Sequence, residues 1–187
     1  MKKEVKTSNF SSILHPFQAT LLTTKGSNGK ENIISIAWMM PIGVAPPALV
    51  FAIRKERYSY KLLCEREEFV VNIPSFDLLE QTMYAGTKSG KQIDKFIKTG
   101  LTRGKARVVS VPIIQECIAH IECTVRDKID SGLDHVLVIG NVVACYAESD
   151  YFDKKWITEK VNLLLHLGGD IFTTNASKSF KANIPNK

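Results

Sequence analysis

Two short segments carry residue types that could bind a metal ion or a phosphate. The segment HIEC, His120 to Cys123, brings together an imidazole, a carboxylate and a thiol, which are the side chains that zinc prefers. Alternate side chains of a strand point to opposite faces, so Cys123 would lie on the face away from His120 and Glu122. The segment GTKSGK, residues 86 to 91, has one residue too few between its glycines for a P-loop and follows a helix pattern. We therefore expect neither a metal site nor a P-loop.

The stretch NIISIAWMMP, residues 32 to 41, has an uneven distribution of side-chain size. As a strand, it would present a bulky apolar face made of Ile34, Ile36, Trp38 and Met40. The opposite face consists of Ile33, Ser35, Ala37 and Met39, and we call it the lean face because its two middle residues have small side chains. On the strand alone, the small residues are explained most simply by another strand or helix that packs closely against them.

The remaining patterns predict a chain rich in strands, with a few helices inserted. A hairpin is predicted from strands at 18–24 and 32–40, because the turn SNGKE between them contains Asn-Gly. Pro41 and the Pro46–Pro47 pair are expected to break regular structure. Further strands are predicted at 48–53, 69–73, 106–111, 117–128 and 136–146. Helices are predicted at 59–67 with Ser59 as cap, 77–84 with Ser75 as cap, 92–98 and 155–167.

This order of elements indicates a mainly β (α+β) fold, most simply a closed or split β-barrel. The regular alternation of strands and helices that a doubly wound fold needs is missing, and no GxGxxG motif occurs. The length of 187 residues and the 44% apolar content suit one domain, with a core at about 12–174 and flexible termini, including a polar tail at 178–187.

Composition narrows the function classes further. The net charge of +6 could favour an anionic cofactor or a nucleic acid, although Lys-rich ends supply part of it. The basic segment TRGKAR lacks the interleaved aromatic residues that single-stranded nucleic acid needs, so we expect no nucleic-acid partner. No apolar run approaches a membrane span and no signal-peptide order is present, so we expect a cytoplasmic protein without a membrane partner. The four cysteines form no CxxC pair and are predicted to be buried free thiols.

Taken in order, the motifs resemble the flavin reductase-like family with an FMN-binding split barrel, and most closely its flavoredoxin branch. The resemblance runs from about His15 to Phe172 and is carried by NIISIAWMMP, APPALVFAIRKERYSYKLL, EFVVNIPS, SGKQIDKF, IECTV and DHVLVIGNV. It implies FMN as the cofactor and gives the lean strand face a second explanation. A planar isoalloxazine ring would lie against Ser35 and Ala37, where backbone amides and carbonyls match its polar rim.

The resemblance also implies a set of FMN-binding residues. They are Asn32, Ile34, Ser35, Ala37, Trp38, Met39, Arg57, Ser59, Ser89, Lys95 and His135.

Four of these residues are given roles by the resemblance. Arg57 and Ser59 would bind the ribityl and phosphate groups, since a phosphate prefers a helix N-terminus, a hydroxyl and an arginine. Lys95 would stabilise the anionic reduced ring near its N1–C2 edge. His135 would face the place where a nicotinamide stacks, and it is the one candidate for a catalytic role. Before this Asp-His pair the chain has Leu133, where many relatives have a glycine. The segment from His166 to Gly169 would return towards the pocket.

The function implied is an FMN-binding oxidoreductase. It would be an NAD(P)H-dependent flavin reductase that reduces free flavin, or a flavoredoxin-like electron carrier that serves a redox protein. The sequence does not separate NADH from NADPH. The resemblance implies a homodimer with the flavin near the subunit boundary. The alternative is a non-catalytic split-barrel module that stores or senses flavin or haem, with His166 as the candidate haem ligand.

Overall fold

The structure, a computed structural model, describes residues 1–180 of the chain. Residues 181–187, most of the predicted polar tail, lie outside the described part. The strands are β1 (Phe17–Gln18), β2 (Thr20–Lys25), β3 (Glu31–Ile36), β4 (Met39–Val44), β5 (Pro47–Ile53), β6 (Glu68–Ile73), β7 (Arg103–Gly104), β8 (Ile113–Ile114), β9 (Ala119–Asp130), β10 (Val136–Ala147), β11 (Phe152–Asp153), β12 (Lys155–Trp156), β13 (Leu165–Gly168) and β14 (Ile171–Thr173). The α-helices are α1 (Phe10–Leu14), α2 (Tyr58–Arg66), α3 (Leu79–Thr87) and α4 (Lys95–Thr99).

The central element is a seven-stranded antiparallel sheet with the order β3-β2-β6-β9-β10-β5-β4. Its two edge strands, β3 and β4, follow each other in the chain, and only Ala37 and Trp38 separate them. Such a short connection can join opposite edges only if the sheet curls round on itself. The Ala52 amide of β5 donates to the Trp38 carbonyl at 3.0 Å, which draws the edges together. The predicted mainly β fold with a split barrel is confirmed.

Strands β2 and β3 are buried on both faces because the barrel lies on one side and helices lie on the other. Leu22 and Ile34 point into the barrel core. Leu21 and Ile33 point outward into a second apolar cluster, which Phe96 of α4 completes. The lean face of β3 is therefore covered by helices.

Close packing does account for one of the small residues on that face. A Cβ atom added at Gly86 of α3 would lie 3.2 Å from the Cβ of Ser35, so helix and strand approach tightly there. The packing explanation for Ser35 is thus supported by the structure, and it does not compete with a ligand that lies beside the same strand.

Several predicted elements differ from the structure. The strand at 32–40 is interrupted at Ala37 and Trp38, where the chain crosses between the edges of the sheet. Pro41 lies inside β4, which tolerates it because an edge strand leaves alternate backbone donors unpaired. The predicted helix at 155–167 is wrong: the region forms β12 and then β13, which pairs with β1.

Of the two predicted serine caps, that of α2 is wrong, whereas Ser75 holds the cap position of the short turn that leads into α3. Helix α2 starts one residue earlier than predicted, with Arg57 in the cap position, and Ser59 lies in its first turn. Ser75 precedes a short 3-10 turn at Phe76–Leu78 and makes no side-chain cap bond.

The segment at 106–111 is an irregular loop instead of the predicted strand, and Glu122 holds it in place. The buried Glu122 carboxylate accepts hydrogen bonds from the amides of Arg107 at 2.7 Å, Val108 at 2.7 Å and Val109 at 3.0 Å. The Tyr146 hydroxyl donates to it as well, at 2.9 Å. Burial alone would raise the pKa of Glu122, but these donors hold it below its ordinary value.

The other residues of the HIEC segment also have structural partners. His120 Nδ1 lies 2.9 Å from Asn72 Oδ1, and burial lowers the pKa of this histidine to about 4. Cys123 points into the barrel core, away from His120 and Glu122. Within residues 1–180, no group of three or more His, Cys, Asp or Glu side chains is placed to hold a metal ion.

The cysteine prediction is half right, since Cys117 and Cys123 are buried whereas Cys64 and Cys145 are exposed. Among the described helices, none is long and apolar enough to cross a membrane.

Candidate functional site

Two adjoining cavities open where β3 ends and the chain crosses to β4. The first, the strand cavity, has a volume of about 320 Å³. Six predicted residues line it: Ile34 and Ser35 of β3, Ala37 and Trp38 of the crossing, Arg57 before α2 and His135 before β10. The second, the helix cavity, has a volume of about 330 Å³ and is lined by Asn32, Ile34, Arg57, Ser59, Ser89 and Lys95 among others. Because Ile34, Arg54, Arg57 and Gly86 line both, the two cavities form one groove.

The helix cavity gathers positive charge and hydrogen-bond donors. Helix α2 begins beside it, so the unpaired amides of the first turn lie at its wall. The Arg57 guanidinium and the Lys95 ammonium add two positive charges. This combination suits a doubly charged phosphate group.

Lys95 is the most unusual residue of the helix cavity because only 3% of it is exposed. Its Nζ donates to the Ile33 carbonyl at 2.7 Å and to the Ala85 carbonyl at 2.6 Å. Loss of water, together with the nearby Arg57 charge, lowers the pKa of Lys95 to about 8. An ammonium has three N–H donors, so one remains after these two bonds.

Asn32 and Ser59 form the back wall of the helix cavity. Asn32 Nδ2 donates to Ser59 Oγ at 2.8 Å, and both residues are buried. Since Ser59 Oγ accepts this bond, its own hydroxyl proton remains for a ligand. A Cβ atom at Gly90 would lie 1.8 Å from Asn32 Oδ1, so only glycine lets the loop after α3 close over this wall. Ser89, the residue before it, lines the same cavity.

One wall of the strand cavity is formed by two aromatic rings that are tilted by 36° relative to each other. Trp38 and His135 lie with their ring centroids 5.1 Å apart. Trp38 is 41% exposed, so the expectation that it alternates with Ile34 and Ile36 into the core is wrong. The interruption at Ala37 turns the indole out of the core and into the cavity wall.

His135 is held by a carboxylate that an arginine also contacts. His135 Nδ1 lies 2.8 Å from Asp134 Oδ1, and Arg54 donates to Asp134 Oδ2 at 3.1 Å. The bond from His135 and the positive charges nearby lower the pKa of Asp134. A carboxylate facing Nδ1 favours the tautomer that carries its proton there, which leaves Nε2 as the free nitrogen.

Edge strand β3 offers backbone groups to the groove. The Ile33 carbonyl points out of the sheet edge, since it accepts from Lys95. In an antiparallel strand the amide and carbonyl of every second residue point the same way, so those of Ser35 face the same edge. By the same alternation the amides and carbonyls of Ile34 and Ile36 face β2, where Leu22 and Thr20 lie opposite them.

Sequence reasoning missed part of the site. Arg54, Thr82, Met83 and Phe172 line the strand cavity, together with the expected His166 and Gly169. Thr82 and Gly86 are four residues apart on α3, so they share the helix face that covers β3. The spacing of four residues is visible in the sequence, but it points to the site only when α3 is known to pack against β3. Met39, which was predicted to contact the cofactor, lines neither cavity and packs against the barrel core.

Comparison with known proteins agrees with this architecture. The family model described as flavin reductase like domain matches residues 12–173. An uncharacterized protein of Archaeoglobus fulgidus is 34% identical over 182 residues, which cover 97% of this chain and 99% of the relative. A flavin reductase (NADH) of Kitasatospora aureofaciens is 31% identical over 131 residues, or 69% of this chain and 65% of that protein.

Among solved structures, the flavoredoxin of Methanosarcina acetivorans superposes with a TM-score of 0.84 at 25% sequence identity. The match covers 97% of this chain and 95% of the flavoredoxin. With the family model spanning most of the chain and the split barrel in place, this protein belongs to the flavin reductase like family.

Proposed function

We propose that the groove binds FMN, with the phosphate in the helix cavity and the isoalloxazine ring in the strand cavity. The protein would then be an FMN-binding oxidoreductase that uses NADH or NADPH. The observation that carries this proposal is the buried Lys95 ammonium beside Arg57, Ser59 and the start of α2. A cation held in a protein interior at such a desolvation cost is best explained by an anionic partner.

The residues of the groove fit FMN at both ends. At the phosphate end, Lys95 and Arg57 supply charge, while Ser59 and Ser89 supply hydroxyls. At the ring end, the Ser35 amide and carbonyl can match the polar rim of the isoalloxazine. In this proposal Lys95 would contact the phosphate, whereas the family resemblance suggested a position near the N1–C2 edge of the ring.

Buried polar atoms without a partner also favour a ligand in the groove. Within the described residues, Asn32 Oδ1, Thr82 Oγ1 and His166 Nδ1 are buried and make no hydrogen bond. Each belongs to a residue that lines one of the two cavities. Unpaired buried polar atoms destabilise a fold. These three are among ten such atoms in the described residues, and a ligand in the groove could satisfy them.

Bound FMN supplies hydride and electron transfer, and the chain would bind it, orient it and control access to it. Trp38 and His135 would form the wall beside which a nicotinamide stacks. Asp134 and Arg54 would fix the orientation of His135, so that its Nε2 is available to a ligand. The flavin reductase (NADH) among the relatives and the flavoredoxin among the structures support two uses of the site, turnover of free flavin and electron delivery to a redox protein.

A homodimer is part of this proposal. Edge strand β4 exposes an apolar row made of Met40, Ile42 and Val44, and Val44 is 92% exposed. Beside this row lies an apolar groove of about 290 Å³ under helix α1, and Trp38 lines both that groove and the strand cavity. A second copy that covers this apolar surface would therefore lie next to the proposed flavin ring.

The test is a visible spectrum of the purified protein, identification of any released cofactor and titration with FMN. We expect one FMN per chain, and we expect anaerobic NADH or NADPH to bleach the bound flavin. FMN binding without bleaching by either nucleotide would favour a storage or sensing module. A Soret band would favour haem, with His166 as the ligand to examine. Failure to take up FMN would refute the cofactor assignment.

A further inference from the structure

Thr82 of helix α3 has a hydroxyl that the protein itself does not use. The residue is fully buried, yet Thr82 Oγ1 makes no hydrogen bond to any residue of the described chain. Threonines inside helices commonly donate to the carbonyl four residues earlier. Two other helical threonines of this protein do so: Thr87 Oγ1 donates to the Met83 carbonyl at 3.1 Å, and Thr99 Oγ1 donates to the Lys95 carbonyl at 2.6 Å. Thr82 makes no such bond to Leu78.

The position of Thr82 indicates where its partner lies. Thr82 lines the strand cavity, one turn before Gly86, which packs against Ser35 at the edge of β3. The hydroxyl is therefore on the helix wall of the cavity, and the strand wall lies across from it. The described residues offer this hydroxyl no acceptor, and a small shift of the neighbouring side chains would bring it into contact with an acceptor in the strand cavity.

We propose that Thr82 is a binding and specificity residue that donates a hydrogen bond to the heterocyclic ring of bound FMN. This inference rests on the proposed function, because it needs the ring in the strand cavity. An isoalloxazine carries carbonyl oxygens and ring nitrogens as acceptors, whereas a purely apolar planar ligand would leave the hydroxyl unpaired. Thr82 would thus make the cavity prefer a ring with an acceptor on its helix-facing side.

The test uses three single variants and the measurements do not depend on turnover. Thr82→Val keeps the shape but removes the hydroxyl, Thr82→Ser keeps the hydroxyl, and Thr99→Val removes a threonine that bonds its own helix outside both cavities. The FMN dissociation constant is measured by titration, and the stability of FMN-free protein is measured by urea unfolding. The absorption spectrum of bound FMN reports changes in hydrogen bonding to the ring.

Thr82→Val is expected to weaken FMN binding about tenfold, the typical effect of one hydrogen bond, and to shift the flavin spectrum. Without FMN it should be at least as stable as the wild type, since a buried unpaired hydroxyl has been removed. Thr82→Ser should bind FMN like the wild type, and Thr99→Val should lose stability without a change in FMN affinity.

Two results would overturn the inference while leaving FMN binding intact. One is a Thr82→Val protein with wild-type FMN affinity and an unchanged spectrum. The other is a Thr82→Val protein that loses stability without FMN, which would mean that the hydroxyl has a structural role. A wild-type protein that binds no FMN would instead refute the proposed function itself, so the two failures are distinguishable.

Discussion

The proposed role of Lys95 makes the FMN affinity depend on pH in a specific way. In the free protein the pKa of Lys95 is lowered to about 8. A phosphate dianion beside the ammonium favours the charged form, so FMN raises this pKa and binding takes up a proton when Lys95 is neutral. Affinity is therefore full below pH 8 and falls as the pH rises through this value.

The size of the effect follows from the same pKa. With a pKa of about 8, Lys95 is charged in about nine-tenths of free molecules at pH 7 and in about 3% at pH 9.5. If Lys95 stays protonated in the FMN complex over this range, the FMN dissociation constant rises about 30-fold between pH 7 and 9.5. Well above the pKa, the increase approaches tenfold per pH unit. This corresponds to about 2 kcal/mol of binding free energy.

The assay is FMN titration by flavin fluorescence between pH 7 and 9.5. Lys95→Met should bind FMN more weakly at pH 7 and show little change with pH. Lys98→Met is the matched control, since Lys98 lies exposed on the same short helix and lines neither cavity. Riboflavin, which lacks the phosphate, should bind without this pH dependence. A wild-type affinity for FMN that stays constant from pH 7 to 9.5, or a slope that Lys95→Met retains, would refute the reasoning.

Three further predictions concern other parts of the structure. Glu122→Gln should lower the free energy of unfolding by about 3 kcal/mol at pH 7, because a buried carboxylate loses its charge-assisted bonds to the loop at 106–111. The pKa of Glu122 is lowered in the folded protein, so the wild type loses this stabilisation as the pH falls through that pKa. The difference in unfolding free energy between wild type and Glu122→Gln, measured with urea, should therefore shrink at low pH, and a constant difference would contradict this. Gly90→Ala should weaken FMN binding at least tenfold in titrations, because its Cβ would overlap Asn32, whereas Gly29→Ala, in a hairpin turn with open space, should not change it. Val44→Asp should convert the proposed homodimer to a monomer in sedimentation experiments, and an unchanged mass would count against the β4 surface as the interface.

Sequence patterns predicted much of the fold because its main strands carry local signals. The hairpin of β2 and β3, the long strands β9 and β10 and the short helix α4 were each recognisable from alternation or turn residues. The helix predicted at 155–167 failed because its apolar residues have distant partners: Val161 and Leu163 pack into the barrel core, and β13 pairs with β1, about 150 residues earlier in the chain. No local window contains that partner.

The site residues show the same division between local and distant causes. Lys95 looks like a surface lysine within its own segment, and only the arrival of Ile33 and Ala85 from other elements buries it. For Trp38, which the resemblance placed at the cofactor, alternation alone would give a core position, because it assumes that the strand continues; closure of the barrel ends the strand at Ile36. Thr82 went unnoticed because nothing in a single helical turn reveals an unused hydroxyl.

The two edge strands of the sheet, β3 and β4, carry features that oppose aggregation of newly made chains. An unpaired edge strand is a template on which another strand can add, and repeated addition produces fibres. On β3, helices cover the outer face and the Lys95 ammonium occupies the Ile33 carbonyl. On β4, Pro41 has no amide hydrogen, and an irregularity between Pro41 and Gly43 shifts the register. In the proposed homodimer, copies would meet through the side chains of β4, while these features disfavour the addition of further strands along its backbone.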